Sequence, residues 1–122
     1  MSRILVIDNS ENYRYMLKAV LGNAGFGVID TNNAFTGLEV TRKYFINMVL
    51  IDPSISKTDG LQTIAEFKKE FPGLRIIAMA GNNSDDQCED LLNVARDCGA
   101  WDVFKKSENV SVLIQKINAL LN

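Results

Sequence analysis

Ile4-Leu5-Val6-Ile7-Asp8 sets four aliphatic residues in a row and ends them on a carboxylate, and Met48-Val49-Leu50-Ile51-Asp52 repeats the pattern. Short aliphatic runs without polar alternation form strands covered on both faces, the condition of a parallel sheet. Ligands of such sheets bind beyond the carboxyl ends of the strands, where the strand order reverses. A third run, Val103-Phe104-Lys105-Lys106, ends in the same way but on lysine. Two acids and a lysine at one sheet edge suit a divalent cation and a phosphoryl group.

Between these runs the spacing is helical. Tyr13, Met16, Leu17, Val20, Leu21 and Ala24 mark a first helix, closed by Gly22, Gly25 and Gly27. A short strand over Val28–Thr31 and a helix from about Phe35 to Tyr44 precede the Met48–Ile51 strand. The segment Asp52–Gly60 reads as a loop with a proline and an Asp59-Gly60 turn signal. Leu61, Ile64, Phe67 and Phe71 mark a third helix, stopped by Pro72-Gly73, and Ile76–Ala80 is a fourth strand. Gly81-Asn82-Asn83 connects it to a helix capped by Ser84 and carrying Leu91, Leu92, Val94, Ala95 and Cys98. After Gly99 comes a fifth strand over Trp101–Phe104, then a helix with Val110, Leu113, Ile114, Ile117 and Leu120.

Five strand–helix units imply right-handed crossovers and helices on both sheet faces. The expected architecture is a flavodoxin-like three-layer (βα)5 fold with parallel strand order 2-1-3-4-5, a single domain over residues 1–122. In that order the first and third strands are neighbours, and Asp8 and Asp52 end a few ångströms apart.

Composition removes several function classes. Hydrophobic residues at 47% and charged residues at 23% exclude a disordered chain. The 13 lysines and arginines are dispersed among 15 acids, which argues against direct nucleic-acid binding. With no histidine there is no His-based general base, no serine-type triad and little zinc chemistry. Cys88 and Cys98 fall on one helix, about 15 Å apart along its axis, too far to bridge. They read as small hydrophobes in a reducing compartment. With no apolar run of membrane-spanning length and no signal peptide, the expectation is a cytoplasmic protein without a membrane partner.

Some local features have plain structural readings. Asp8-Asn9-Ser10 suits a helix cap, Asp52-Pro53 suits a turn, and the acids Asp85, Asp86, Glu89 and Asp90 suit the first turns of a helix. Trp101 reads as packing. Lys105 and Lys106 alternate across a strand end, and the spacing from Gly99-Ala100 selects Lys106 as the inward one.

Ile4–Asn9, Met48–Gly60 and the Gly99-Ala100 to Lys106 stretch together resemble the receiver domain of bacterial response regulators, over essentially the whole chain. The resemblance implies a Mg²⁺-dependent phosphoacceptor. Asp52 would take a phosphoryl group from a sensor histidine kinase or phosphotransfer protein, with Lys106 on the phosphoryl oxygens. It implies metal ligation by Asp8, Asn9, Asp52 and the Ser54 backbone carbonyl, and a phosphoryl contact from the Gly81 N–H. A downstream effector protein or domain would read the switch, and a homodimer through the fourth and fifth helix faces is compatible with the sequence.

Four positions depart from the family pattern. Asn9 replaces an acid, which predicts weaker Mg²⁺ affinity, readable by Trp101 fluorescence. Ala80 replaces a hydroxyl residue, Val103 stands at the aromatic switch position with Phe104 as the alternative, and Lys106-Ser107 replaces Lys-Pro. The chemistry of Asp52, Asp8 and Lys106 survives, whereas the relay to the surface is largely missing. Two functions remain: a phosphoaccepting receiver, not an enzyme beyond slow self-dephosphorylation, or a phosphorylation-independent interaction module. A flavodoxin-like nucleotide binder fits poorly, because Asp8-Asn9-Ser10-Glu11-Asn12 has two carboxylates and no glycine.

Overall fold

Residues 4–7 and 48–51 are fully buried, and each run splits its side chains between two cores. In a computed structural model, which describes residues 2–55, 59–81 and 85–121, they form the centre of a parallel sheet. The chain runs β1 (Arg3–Ile7), α1 (Glu11–Asn23), β2 (Gly27–Thr31), α2 (Ala34–Lys43), β3 (Met48–Ile51) and α3 (Asp59–Glu70). It continues through β4 (Arg75–Ala80), α4 (Asp85–Cys98), β5 (Asp102–Lys105) and α5 (Val110–Leu121). The strand order is β2-β1-β3-β4-β5, all pairings are parallel, and Ile7 stands opposite Ile51. This is the expected flavodoxin-like fold.

Strand alternation assigns the two faces. Leu5, Ile7, Val49, Ile51, Ile76 and Ala78 pack beneath α2, α3 and α4 with Leu38, Phe67 and Leu92. Ile4, Val6, Met48, Leu50, Met79 and Phe104 pack beneath α1 and α5 with Leu17, Leu21, Leu113 and Ile117. Residues 8, 52 and 106 continue the alternation of 4-6, 48-50 and 104, so all three leave the sheet on the α1/α5 side.

Several boundaries and roles differ from the sequence reading. Asp59-Gly60 opens α3 instead of making a turn. A Cβ at Gly60 would stand 2.1 Å from the Pro53 carbonyl oxygen, so glycine is set here by close approach rather than turn geometry. β5 begins at Asp102, not Trp101, because Trp101 caps the sheet edge: its N–H donates to the Ile76 carbonyl. Trp101 is 41% exposed, its ring stacked on Arg75 at 3.8 Å and Lys68 at 5.4 Å, so it packs against cationic stems rather than core. Gly99 ends α4 with φ +128, a conformation that favours glycine. Cys88 and Cys98 both lie on α4, and no disulfide joins them. The Ser84 cap, the Asn82-Asn83 connection and the side chains of Asp59, Asp85 and Asp86 lie outside the described residues. Among the described residues no helix is long and apolar enough to cross a membrane.

Candidate functional site

β1 and β3 end side by side, so Asp8 and Asp52 meet at the carboxyl edge of the sheet. The Asp8 N–H donates to Thr31 and the Asp52 N–H to Ile7, which carries the parallel ladder one residue past each strand. Both carboxylates are nearly sealed, at 1% and 3% exposure. Lys106 leaves β5 on the same face, its N–H donating to the Ala80 carbonyl. Its ammonium lies 2.8 Å from Asp52 Oδ2, as a hydrogen bond, and 2.6 Å from Asp8 Oδ2. The latter contact is close enough for an ion pair but not aligned as a hydrogen bond, and among the described residues the buried Asp8 Oδ2 has no hydrogen-bond partner. Lys105 turns outward and pairs with Glu89 at 3.2 Å.

The surrounding loops fix each carboxylate through its other oxygen. The Ser10 N–H donates to Asp8 Oδ1, while the Ser10 hydroxyl caps α1 by accepting from the Tyr13 N–H. Capping and site roles are therefore shared among adjacent residues of one segment. The N–H and hydroxyl of Ser54 both donate to Asp52 Oδ1, at 2.8 and 2.6 Å. Arg14 ties the Asp8 carbonyl (2.7 Å) to Asp30 (2.8 Å). Burial raises the Asp30 carboxyl, but hydrogen bonds from Arg14 and Lys18 outweigh it and hold the group below the ordinary aspartate range.

Asn9 is exposed, and its side-chain N–H donates to the Ile55 carbonyl at 2.8 Å, which leaves the amide oxygen as its metal-capable atom. Gly81 packs on the lysine stem: a Cβ there would lie 2.5 Å from Lys106 Cβ. Ala80 is buried beneath α4 and offers no donor. Val103 lines a shallow groove of about 240 Å³ with Leu92 and Lys105. Phe104 is not a switch alternative, because it is buried at 1% exposure on the opposite, α1/α5 face. The Lys106–Ser107 bond is trans. Trp101 sits at the amino end of β5, away from Lys106 at its carboxyl end, so its fluorescence is a poor reporter of the site.

One site residue escaped the sequence reading. Tyr13 looked like part of an apolar stripe, yet it is half-buried with its ring 4.6 Å from the Lys106 ammonium. The signal was its place in the first turn of the helix that follows Asp8. Burial, then the negative charges of Asp8 and Asp52, push its phenol well above the ordinary value of 10.0. A phenol that holds its proton more tightly when folded adds stability that is in place below about pH 10 and fades as pH climbs toward the folded value. In a tyrosinate absorbance titration, the folded wild type and Tyr13→Phe should therefore develop the same signal. Alkaline unfolding should release one further tyrosinate in the wild type alone, and its release before unfolding would contradict the placement.

A parallel (βα)5 sheet with two sealed carboxylates and a lysine at the carboxyl ends of its strands defines a flavodoxin-like domain with a charged pit in place of a glycine-rich phosphate loop. The family model for the response regulator receiver domain matches residues 4–118, and the chain belongs to that family. It is 29% identical over 121 residues to the virulence-factor transcription regulator BvgA of Bordetella pertussis, covering 98% of this chain and 56% of that protein. It is 32% identical over 110 residues to protein-glutamate methylesterase/protein-glutamine glutaminase 2 of Methanosarcina mazei, covering 88% of this chain and 29% of that protein. The chain thus spans about half, or less, of the length of these relatives. A receiver domain protein from Clostridium thermocellum superposes with a TM-score of 0.88 at 25% identity, covering 100% of this chain and 95% of the other. Receiver domains of two-component systems are regulatory parts rather than enzymes in general, and generally use Mg²⁺.

Proposed function

We propose that residues 1–122 act as a single receiver domain in which Asp52 accepts a phosphoryl group from a sensor histidine kinase or phosphotransfer protein. The observation that carries this reading is the Lys106 ammonium held at 2.6 and 2.8 Å from the two buried carboxylates. A carboxylate is a competent nucleophile in covalent catalysis and needs no base to activate it. One Asp52 oxygen bonds to phosphorus as the bond to the donor breaks. Lys106, a flexible point charge, follows the charge that collects on the phosphoryl oxygens. The Ser54 donors hold the carboxylate in one orientation. The Gly81 N–H is assigned to a phosphoryl oxygen.

The residues fit a hard divalent cation. Among the described residues Asp8 Oδ2 is buried without a hydrogen bond, and two carboxylates face one ammonium, which leaves the pit negative. Asp8, Asp52, the Asn9 amide oxygen and the Ser54 carbonyl would hold Mg²⁺, which takes few carboxylates and keeps several waters. When bound, it neutralises charge on the phosphoryl oxygens. Among the described residues no three His, Cys, Asp or Glu side chains gather at one point, so the neutral oxygens matter more here and affinity falls below that of a three-acid site.

With Ala80 and Val103 at the relay positions, the change reaches an effector protein or domain through loop contacts of the pit. Dephosphorylation is slow and self-catalysed, the setting is cytoplasmic, and self-association through the faces of α4 and α5 remains part of this reading. Family membership and the assembled triad favour it over the phosphorylation-independent module.

Beryllofluoride or acetyl phosphate with Mg²⁺, read by mass spectrometry and amide NMR, tests the proposal. The expected adduct disappears in Asp52→Asn. Saturating phosphodonor with no adduct and no shifted amides would leave the interaction module as the better reading.

A further inference from the structure

We infer that Tyr13 is a positioning residue for Lys106, its ring seating the ammonium between Asp8 and Asp52 and so setting how readily a divalent cation displaces it. The ammonium touches three partners: Asp8 Oδ2 at 2.6 Å, Asp52 Oδ2 at 2.8 Å and the Tyr13 ring centroid at 4.6 Å. The stem is walled off behind, where Gly81 leaves no room for even a Cβ. With the lysine side chain only 9% exposed, the ring faces a largely desolvated cation, the condition in which such contacts are strongest.

The consequence follows from charge. Among the described residues Lys106 is the one cation that pairs with either carboxylate. Asp8 Oδ2, the oxygen best suited to a metal, is the one the ammonium already occupies. A divalent cation therefore competes with Lys106 for that oxygen, and whatever holds the ammonium in place weakens the metal. Tyr13 is the part of that hold supplied by α1. Removing the ring should strengthen metal binding, the opposite of what simple damage to the site would do.

The cation half of this inference rests on the proposed phosphoacceptor site, whereas the ammonium half does not. The test compares Tyr13→Leu and Tyr13→Phe with wild type in the full chain, by calorimetric titration with MgCl₂. Tyr13→Leu should bind Mg²⁺ about fivefold more tightly, the factor that corresponds to roughly 1 kcal/mol of ring contact. Tyr13→Phe keeps the ring and should retain the wild-type affinity. Equal or weaker binding in Tyr13→Leu overturns the inference, as does a Phe variant that behaves like Leu.

A second measurement needs no metal. The Lys106 ammonium, assigned by its loss in Lys106→Met, should give a slowly exchanging ¹⁵N-detected signal in wild type and Tyr13→Phe. It should broaden away in Tyr13→Leu, and its persistence there overturns Tyr13's role. Wild type that binds no Mg²⁺ would count against the cation site of the phosphoacceptor reading, and the ammonium signal would then decide Tyr13 by itself.

Discussion

Lys106→Met should cost about 3–5 kcal/mol of stability in metal-free buffer, the cost of breaking a buried ion pair by removing one partner. For a domain of this size that is a fall in Tm of roughly 12–20 °C, at about 4 °C per kcal/mol. The size follows from burial: Asp8 and Asp52 are 1% and 3% exposed, so water cannot replace the ammonium between them. The exposed ion pairs of Arg42 with Glu39 and Glu70 stay hydrated and screened, so breaking them should change stability far less. Asp52→Asn should behave in the opposite way. It leaves one carboxylate to one ammonium, a matched pair, and stability should hold or rise. Adding Mg²⁺ should recover part of the Lys106→Met loss by returning positive charge to the pit. Thermal unfolding with EDTA and with Mg²⁺ measures all three, and a Lys106→Met variant as stable as wild type would refute the charge balance described above.

Gly60→Ala should be the most damaging single-methyl substitution on the site side of the fold, at about 3 kcal/mol. Its new Cβ would stand 2.1 Å from the Pro53 carbonyl oxygen and 2.6 Å from the carbonyl carbon. Overpacking ordinarily costs about 1–3 kcal/mol, and the upper end applies when the obstacle is backbone rather than the tip of a flexible side chain. Pro53 follows Asp52 directly, so the strain should also reach the acceptor and lower beryllofluoride occupancy. Gly22→Ala serves as the contrast, since among the described residues nothing lies within 4 Å of its Cβ position and it sits inside α1. It should be neutral or stabilising, because glycine within a helix is worse than alanine by roughly 0.5–1 kcal/mol. A Gly60→Ala protein that melts with wild type would show that α3 can slide away from Pro53.

The strands were legible because a sheet buried on both faces leaves no alternative to continuous aliphatic runs. Ile4–Ile7 and Met48–Ile51 announced β1 and β3 within a residue. Strand alternation required one of Lys105 and Lys106 to face outward, the spacing from Gly99-Ala100 chose Lys106 as the inward one, and the structure agrees, with Lys105 turned out to Glu89. Boundaries without such a constraint were read less well. Asp59-Gly60 carries the residues of a turn, yet the segment enters α3, since the close contact with Pro53 and not local dihedral preference selects glycine there. Phe104 beside Val103 suggested an aromatic replacement, until alternation placed it on the other face of the sheet.

The chain's own residues thus determined the alternating strand–helix elements and which charged groups end the strands, because these depend on hydrophobic period and parity along the backbone. The order 2-1-3-4-5 was an expectation from the flavodoxin-like class that the strand pairing bears out. Only the tertiary structure decided how those groups are shared. One ammonium spans two carboxylates, a serine hydroxyl grips the acceptor, and a tyrosine of α1 closes the pit. The Lys106 contacts join residues dozens of positions apart, and their lengths are set by how helices seat on the sheet, which no local pattern encodes.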